Sequence, residues 1–295
     1  MLPFRKVLFP IDYSAPCEAI IPYVQDIVQH FNAQLTLIRA YGLGTMGELI
    51  GADPQWMVEL RTSEEQHLKD FSIKHFPGLQ VELRLAEGEP GTVIHQEVVH
   101  EGTDLVMMPT RGSGPLRKFL LGSVASKVLH DVSAAVWTGT NHIFVDNKEA
   151  KADQKPSHHP SAPYKSILCA LDESEEAEAV LRAGASLAKS YGAKLNLLTA
   201  VPVPPTALEM DFTVYQKALT EAAEYRMRDL KAKVGVDALH TITPWMLLDA
   251  LHDEAERVQA DLLIVGRGEL QERFGRLWSR LYPVIRESPC PVLSI

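Results

Sequence analysis

The sequence predicts two tandem α/β domains, each a doubly wound five-stranded parallel sheet, and three observations carry that prediction. The first is an internal repeat: residues 4–40 lie without a gap on residues 164–200 at a constant offset of 160. Leu8/Leu168, Asp12/Asp172, Ser14/Ser174, Glu18/Glu178 and Leu37/Leu197 coincide, and Thr103-Asp104-Leu105-Val106 echoes Ala260-Asp261-Leu262-Leu263. A unit this long is a whole domain and not a solenoid repeat. The second is that short apolar runs without clean alternation are interleaved with segments of helical period, as in a parallel sheet covered on both faces. The third is length: 295 residues divide into two halves, each of roughly 130–140 residues and able to bury its own core. Right-handed crossovers then make each half a doubly wound layer.

Taken in order, the first half offers strands at Lys6–Pro10, Leu35–Ala40, Val81–Leu85, Asp104–Pro109 and Ala134–Thr138. Between them, Ala19, Ile20, Tyr23, Val24, Ile27, Val28 and Phe31 keep helical spacing, as do Met57, Leu60, Leu68 and Phe71. The second half offers strands near Ser166–Leu171, Lys194–Ala200, Leu239–Thr243, Asp261–Val265 and Pro291–Ile295, with helices at about 175–191, 209–234, 245–258 and 277–287. Residues 141–163 are polar, charged and proline-bearing, which is linker composition. The domains are therefore expected at 1–140 and 164–295. His158-His159 reads as a solvated linker pair, since no third ligand type lies nearby.

Composition narrows the function classes. The formal charge of −9 speaks against a nucleic-acid partner, because phosphate contacts need a basic face. No stretch reaches the roughly 20 apolar residues of a membrane helix, and the opening MLPFRKVLFPIDYS turns polar too early for a signal peptide. The expected location is the cytoplasm. The three cysteines, Cys17, Cys169 and Cys290, lack metal or disulfide spacing and read as small buried hydrophobes.

Ligands of parallel sheets bind at the carboxyl ends of strands, at the switch point. There the first half places Pro10–Ser14, Arg39–Gly44 and Pro109–Ser123. In the last, Gly112 opens a loop that returns after nine residues to Gly122-Ser123 at the start of a helix. Glycines admit a phosphate close to the backbone, and a helix N-terminus offers unpaired N–H donors; Arg111, Arg117 and Lys118 add positive charge. Spacing alone leaves a second reading open, a glycine-bearing turn with Ser123 as an ordinary N-cap. Asp12 and Asp172 likewise have two readings: contact with a ribose hydroxyl or phosphate-held metal, or a cap for the next helix, with Ser14 or Ser174 assisting.

Other patterns carry less. Gly42-Leu-Gly44-Thr-Met-Gly47 fits a dinucleotide fingerprint, but it follows the second strand and no acidic partner stands at the proper distance; it reads as a loop bordering the site. His95 and His100 are five apart and fall on different helix faces. No nucleophile elbow, zinc-protease helix or P-loop lysine is present, so the chain reads as a binder, with slow nucleotide hydrolysis or transfer as a third-ranked reading.

The Asp12 turn, the loop from Gly112 to Ser123, the closing Val132–Trp137 run and the terminal Ser288-Pro-Cys-Pro-Val-Leu-Ser-Ile295 together resemble the universal stress protein family, over nearly the whole chain outside the linker. The resemblance implies a tandem member with the adenine-nucleotide alpha hydrolase-like fold. It implies ATP in the first domain, with Mg²⁺ if a triphosphate is held, and these cofactor-binding residues: Asp12, Ile38, Ala40, Met108, Arg111, Gly112, Gly122, Ser123 and Val124. Pro109 departs from the family's G-x2-G-x9-G-[S/T] pattern at the first glycine and removes one backbone N–H. In the second half Gly268 and Ser279 keep the spacing, but Trp278 stands at the later glycine position beside Glu269 and Glu272. That half is expected to be degenerate, structural or regulatory, with Arg267, Arg273, Arg276 and Arg280 forming a solvated helix face or a surface for the other domain. The resemblance also implies an intrachain pseudo-dimer, which could pair further as a homodimer. A nucleotide-independent interaction protein, with both sites decayed, is the alternative.

Overall fold

The computed structural model describes residues 2–42, 54–111, 121–139, 162–172, 174, 176–201, 212–244, 247–267 and 278–295. The chain divides into two compact units, the first spanning Pro3–Gly139. In chain order the first unit contains β1 (Lys6–Pro10), α1 (Ala15–Ala19), α2 (Ile21–Phe31), β2 (Gln34–Tyr41), α3 (Pro54–His75) and β3 (Val81–Glu87). It continues with α4 (Pro90–Glu101), β4 (Leu105–Pro109), α5 (Ser123–Asp131) and β5 (Ala135–Gly139). Its strands run parallel in the order β3-β2-β1-β4-β5. The second unit has β6 (Ser166–Ala170), α6 (Ala177–Tyr191), β7 (Lys194–Ala200), α7 (Phe212–Val234) and β8 (Leu239–Thr243). It closes with α8 (Leu247–Arg257), β9 (Leu262–Val265), α9 (Trp278–Glu287) and β10 (Val292–Ser294). The strand order is the same, β8-β7-β6-β9-β10, and again parallel. Each sheet grows outward from its first strand and then reverses to that strand's other side, which creates the switch point between β1 and β4.

Every expected strand is present, with ends shifted by one or two residues at Ala134, Leu171, Pro291, Ile295 and elsewhere, and two differences matter for the fold. Asp104 and Asp261 were expected inside strands, yet β4 and β9 begin one residue later. Each carboxylate instead accepts two backbone N–H groups at the start of the first strand: Arg5 and Lys6 onto Asp104 at 2.8 and 2.9 Å, and Lys165 and Ser166 onto Asp261 at 2.8 and 3.0 Å. These are braces at the end of the sheet remote from the switch point. The periodic run from Ala19 to Phe31 is broken at Ile20, between α1 and α2. Pro22 explains the break: it has no N–H to give to the carbonyl four residues earlier, and its ring would collide with it.

Burial follows position in the sheet. β4 and β5 are buried along their length, whereas β3 at the edge is half-buried throughout. Trp137 on β5 is fully buried against Tyr23 of α2, ring centroids 5.2 Å apart. All three cysteines are buried and unpaired, and burial pushes the thiols of Cys17 and Cys290 up to about 12, so they act as hydrophobes. Among the described residues no helix is long and apolar enough to cross a membrane.

Candidate functional site

At the switch point of the first unit lies a cavity of about 520 Å³, within the range of small-molecule sites. The ends of three strands form it: Pro10, Ile11 and Asp12 after β1, Ile38, Arg39 and Ala40 on β2, and Met108 to Arg111 from β4. Leu121 to Ala125 close one side and Pro90 and Ile94 of α4 another. Of the residues singled out from sequence, Asp12, Ile38, Ala40, Met108, Arg111, Gly122, Ser123 and Val124 all line this one cavity. Gly112, with Arg117 and Lys118, lies outside the described residues, as do Gly44, Gly47 and His158-His159.

The start of α5 explains the glycine. Gly122 is the N-cap, in extended conformation, and supplies no side-chain cap. The first helical bond is Ser126 N–H to the Gly122 carbonyl at 2.9 Å. The N–H groups of Ser123, Val124 and Ala125 therefore have no carbonyl within the helix to bond. Gly122 itself donates to the Thr110 carbonyl at 2.9 Å, and a Cβ there would stand 3.2 Å from that oxygen. Ser123 is the first helical residue and not the cap, so the N-cap reading of Ser123 is corrected. The helix α4 that supplies Pro90 and Ile94 is capped by Glu89, which accepts from the Gly91 and Thr92 N–H groups at 2.9 Å each. Burial would raise the Glu89 carboxyl, but these bonds and Lys127 hold it down at about 2.

Asp12 shares its duties. Its Oδ1 accepts from the Ser14 N–H at 3.0 Å and the Ser14 hydroxyl at 2.5 Å, and Ser14 in turn caps α1 through the Cys17 N–H. Asp172 and Ser174 repeat the geometry at 3.0 and 2.5 Å, so this use is structural in both halves. Between Asp12 and Ser14, Tyr13 adopts φ 59°, a left-handed conformation that costs a non-glycine residue on the order of 1 kcal/mol. Packing holds it there: the ring meets Phe71 of α3 edge-on at 5.5 Å, and the Arg39 guanidinium sits 5.0 Å above it. Glu64 of α3 fixes Arg39 at 2.8 Å. Burial, with Glu64 adding, raises the Tyr13 hydroxyl to about 12. Pro90 and Ile94 are cavity residues that the sequence reading did not name; Arg39 and Thr110 fell within segments expected at the switch point but were given no role of their own.

Pro109 leaves β4 paired with β5: Met108 and Pro109 stand beside Thr138 and Gly139, and the Thr110 N–H bonds the Gly139 carbonyl at 3.2 Å. On the other side, the β1 pairing covers Val7 and Leu8 against Leu105 and Val106, and Pro109 has no N–H to offer to the end of β1.

At the equivalent strand end the second unit carries a buried charge. Arg267 donates its N–H to the Ile295 carbonyl at 2.9 Å, as Thr110 does to Gly139, so strand register makes Arg267 the counterpart of Thr110 and Gly266 that of Pro109. Arg267 was expected on a solvated face or a surface for the other domain; it is 6% exposed, which excludes the solvated face. Burial pulls its guanidinium down to about 10, opposed by the charge of Glu176, and it stays cationic at neutral pH. A Cβ on Gly266 would lie 2.7 Å from Glu176 Oε2, so the carboxylate reaches over that glycine. The Trp278 side chain and residues 268–277, to which the sequence reading assigned the degeneracy, lie outside the described residues.

Comparison with known proteins agrees with this architecture. The family model described as "Universal stress protein family" matches residues 3–138 and again 163–295. A universal stress protein of Staphylococcus haemolyticus is 27% identical over 159 residues, 53% of this chain and 93% of its own length. The solved structure of a universal stress protein from Archaeoglobus fulgidus covers 98% of this chain and 97% of its own, at 18% identity and a TM-score of 0.68. A universal stress protein solved in complex with cAMP covers 46% of this chain and 95% of its own, at 18% identity and a TM-score of 0.35. Two successive matches, together spanning nearly all of the chain, show that it belongs to the universal stress protein family and carries that domain twice in tandem.

Proposed function

We propose that the first domain binds an adenine nucleotide, ATP in the first instance, and that the second is its structural or regulatory companion in a cytoplasmic sensor or stress-response protein. One observation carries the reading: a single cavity gathers an apolar end, formed by Ile38, Ala40 and Met108, and a donor-rich end at the uncapped start of α5, with Asp12 between strands and helix. The apolar end suits a base and the α5 end suits phosphate. Arg111 lends it a positive charge.

Mg²⁺ fits as a companion of the triphosphate. Among the described residues no group of three or more His, Cys, Asp or Glu could hold a metal, and Mg²⁺ is commonly held by one carboxylate plus substrate phosphates. Asp12 is the carboxylate that lines the cavity. The metal would neutralise phosphate charge, while the chain's own residues bind and orient the ligand.

Calorimetric titration of ATP–Mg²⁺ into the purified full chain tests the reading, with Gly122→Trp as control. Saturable binding that the substitution removes is the expected result. No binding by the wild-type chain would overturn it and leave the nucleotide-independent interaction protein, a reading that the buried Arg267 of the second half favours for that half.

A further inference from the structure

We propose that Thr110 is a specificity-determining residue of the first-domain site, its hydroxyl donating a hydrogen bond to an anionic phosphate oxygen of the ligand held at the start of α5. This rests on the nucleotide reading above and goes beyond it by assigning a contact to a residue that the glycine-serine loop pattern leaves unspecified.

Thr110 is 2% exposed, and its Oγ1 is buried with no hydrogen-bond partner. Its backbone is fully committed: the N–H to Gly139 at 3.2 Å, the carbonyl to Gly122 at 2.9 Å. The residue is thus pinned at both ends in the cavity wall, and the hydroxyl alone lacks a role. A buried hydroxyl without a partner costs folding free energy that a valine of the same shape would not. What surrounds the α5 start explains why the chain does not satisfy it. The groups there that lack a carbonyl within the helix, the N–H of Ser123, Val124 and Ala125, are donors. A set of donors without an acceptor calls for a ligand rich in lone pairs, and a phosphate supplies several on one centre.

The second half supports this by contrast. At the register position of Thr110 stands Arg267, a donor-only group, and the chain itself supplies a carboxylate beside it in Glu176. In the first half the repeat places Pro16 where Glu176 stands. The donor is kept in both halves; the internal acceptor is kept in only one.

The experiment compares ATP–Mg²⁺ affinity and ligand-free thermal midpoint for wild type, Thr110→Val and Thr110→Ser, all in the full chain. Thr110→Val should weaken ATP about tenfold, the scale of one charge-assisted hydrogen bond, while its ligand-free midpoint stays level or rises. Thr110→Ser should bind within about twofold of wild type, because the hydroxyl is retained. Wild-type affinity in Thr110→Val would overturn this inference and leave the nucleotide reading standing. Weakened binding together with a lowered ligand-free midpoint would make Thr110 a structural residue and also overturn it. No ATP binding by wild type would overturn the nucleotide reading and this inference together.

Discussion

The two halves share strand order, the aspartate–serine turn after the first strand and the aspartate brace at the opposite end of the sheet, but they treat the switch point differently. In the first half it is a cavity bounded by prolines, a bare helix start and an unsatisfied hydroxyl. In the second, a buried guanidinium and a carboxylate occupy the corresponding positions. What repeats faithfully is what the sheet needs in order to form; what diverges is what faces the crevice. The aspartate after the first strand therefore cannot, by itself, mark a ligand site.

Five substitutions break or sharpen this contrast. The largest effect is expected from Gly122→Trp, which should reduce ATP affinity by more than about a hundredfold, because an indole would take the space in which a phosphate reaches the α5 N–H groups. Circular dichroism matching the wild type would show that the fold survives. Next is Gly184→Ala in α6. Its Cβ would stand 2.2 Å from Cys169 Sγ, and a fully buried thiol has nowhere to retreat, so a loss of about 1–3 kcal/mol in urea unfolding is expected. In the first half the larger Val24 and Phe9 stand at the two positions, so the interior is packed differently there.

Arg267→Thr, which gives the second half the residue of the first, should cost roughly 1–2 kcal/mol by leaving a vacated site and a carboxylate without its cation. Added Glu176→Gln should return part of that, and strictly additive losses in the double-substitution cycle would show that the two side chains are uncoupled. The smallest effect is expected from Glu89→Ala, about 1 kcal/mol for the loss of an N-cap. Because the folded Glu89 carboxyl lies below its ordinary value of 4.5, at about 2, its contribution is present above pH 4.5 and fades as pH falls towards 2. The difference between wild type and variant in acid unfolding should shrink over that window; a pH-independent difference would refute the assignment.

Several features of the site were open to a reading of the chain. Gly122-Ser123 can be found because a helix start is a local event, and Asp12 because the repeat displays it twice. Ile38, Ala40 and Met108 came from the family resemblance, and the structure sets all three in one wall. Arg267 was misjudged because an arginine among arginines looks solvated, and nothing within a few residues of it announces Glu176.

The sequence by itself determined the tandem arrangement, the parallel α/β class, the positions of the strands and the glycine-serine helix start, because each is written in spacing that neighbouring residues can satisfy. The tertiary structure alone decided that Thr110 carries a hydroxyl without a partner, that Arg267 is buried, and that Pro90 and Ile94 close the cavity. Each of these depends on which strand end stands beside which, and that is fixed by register between segments tens of residues apart, where local periodicity carries no information.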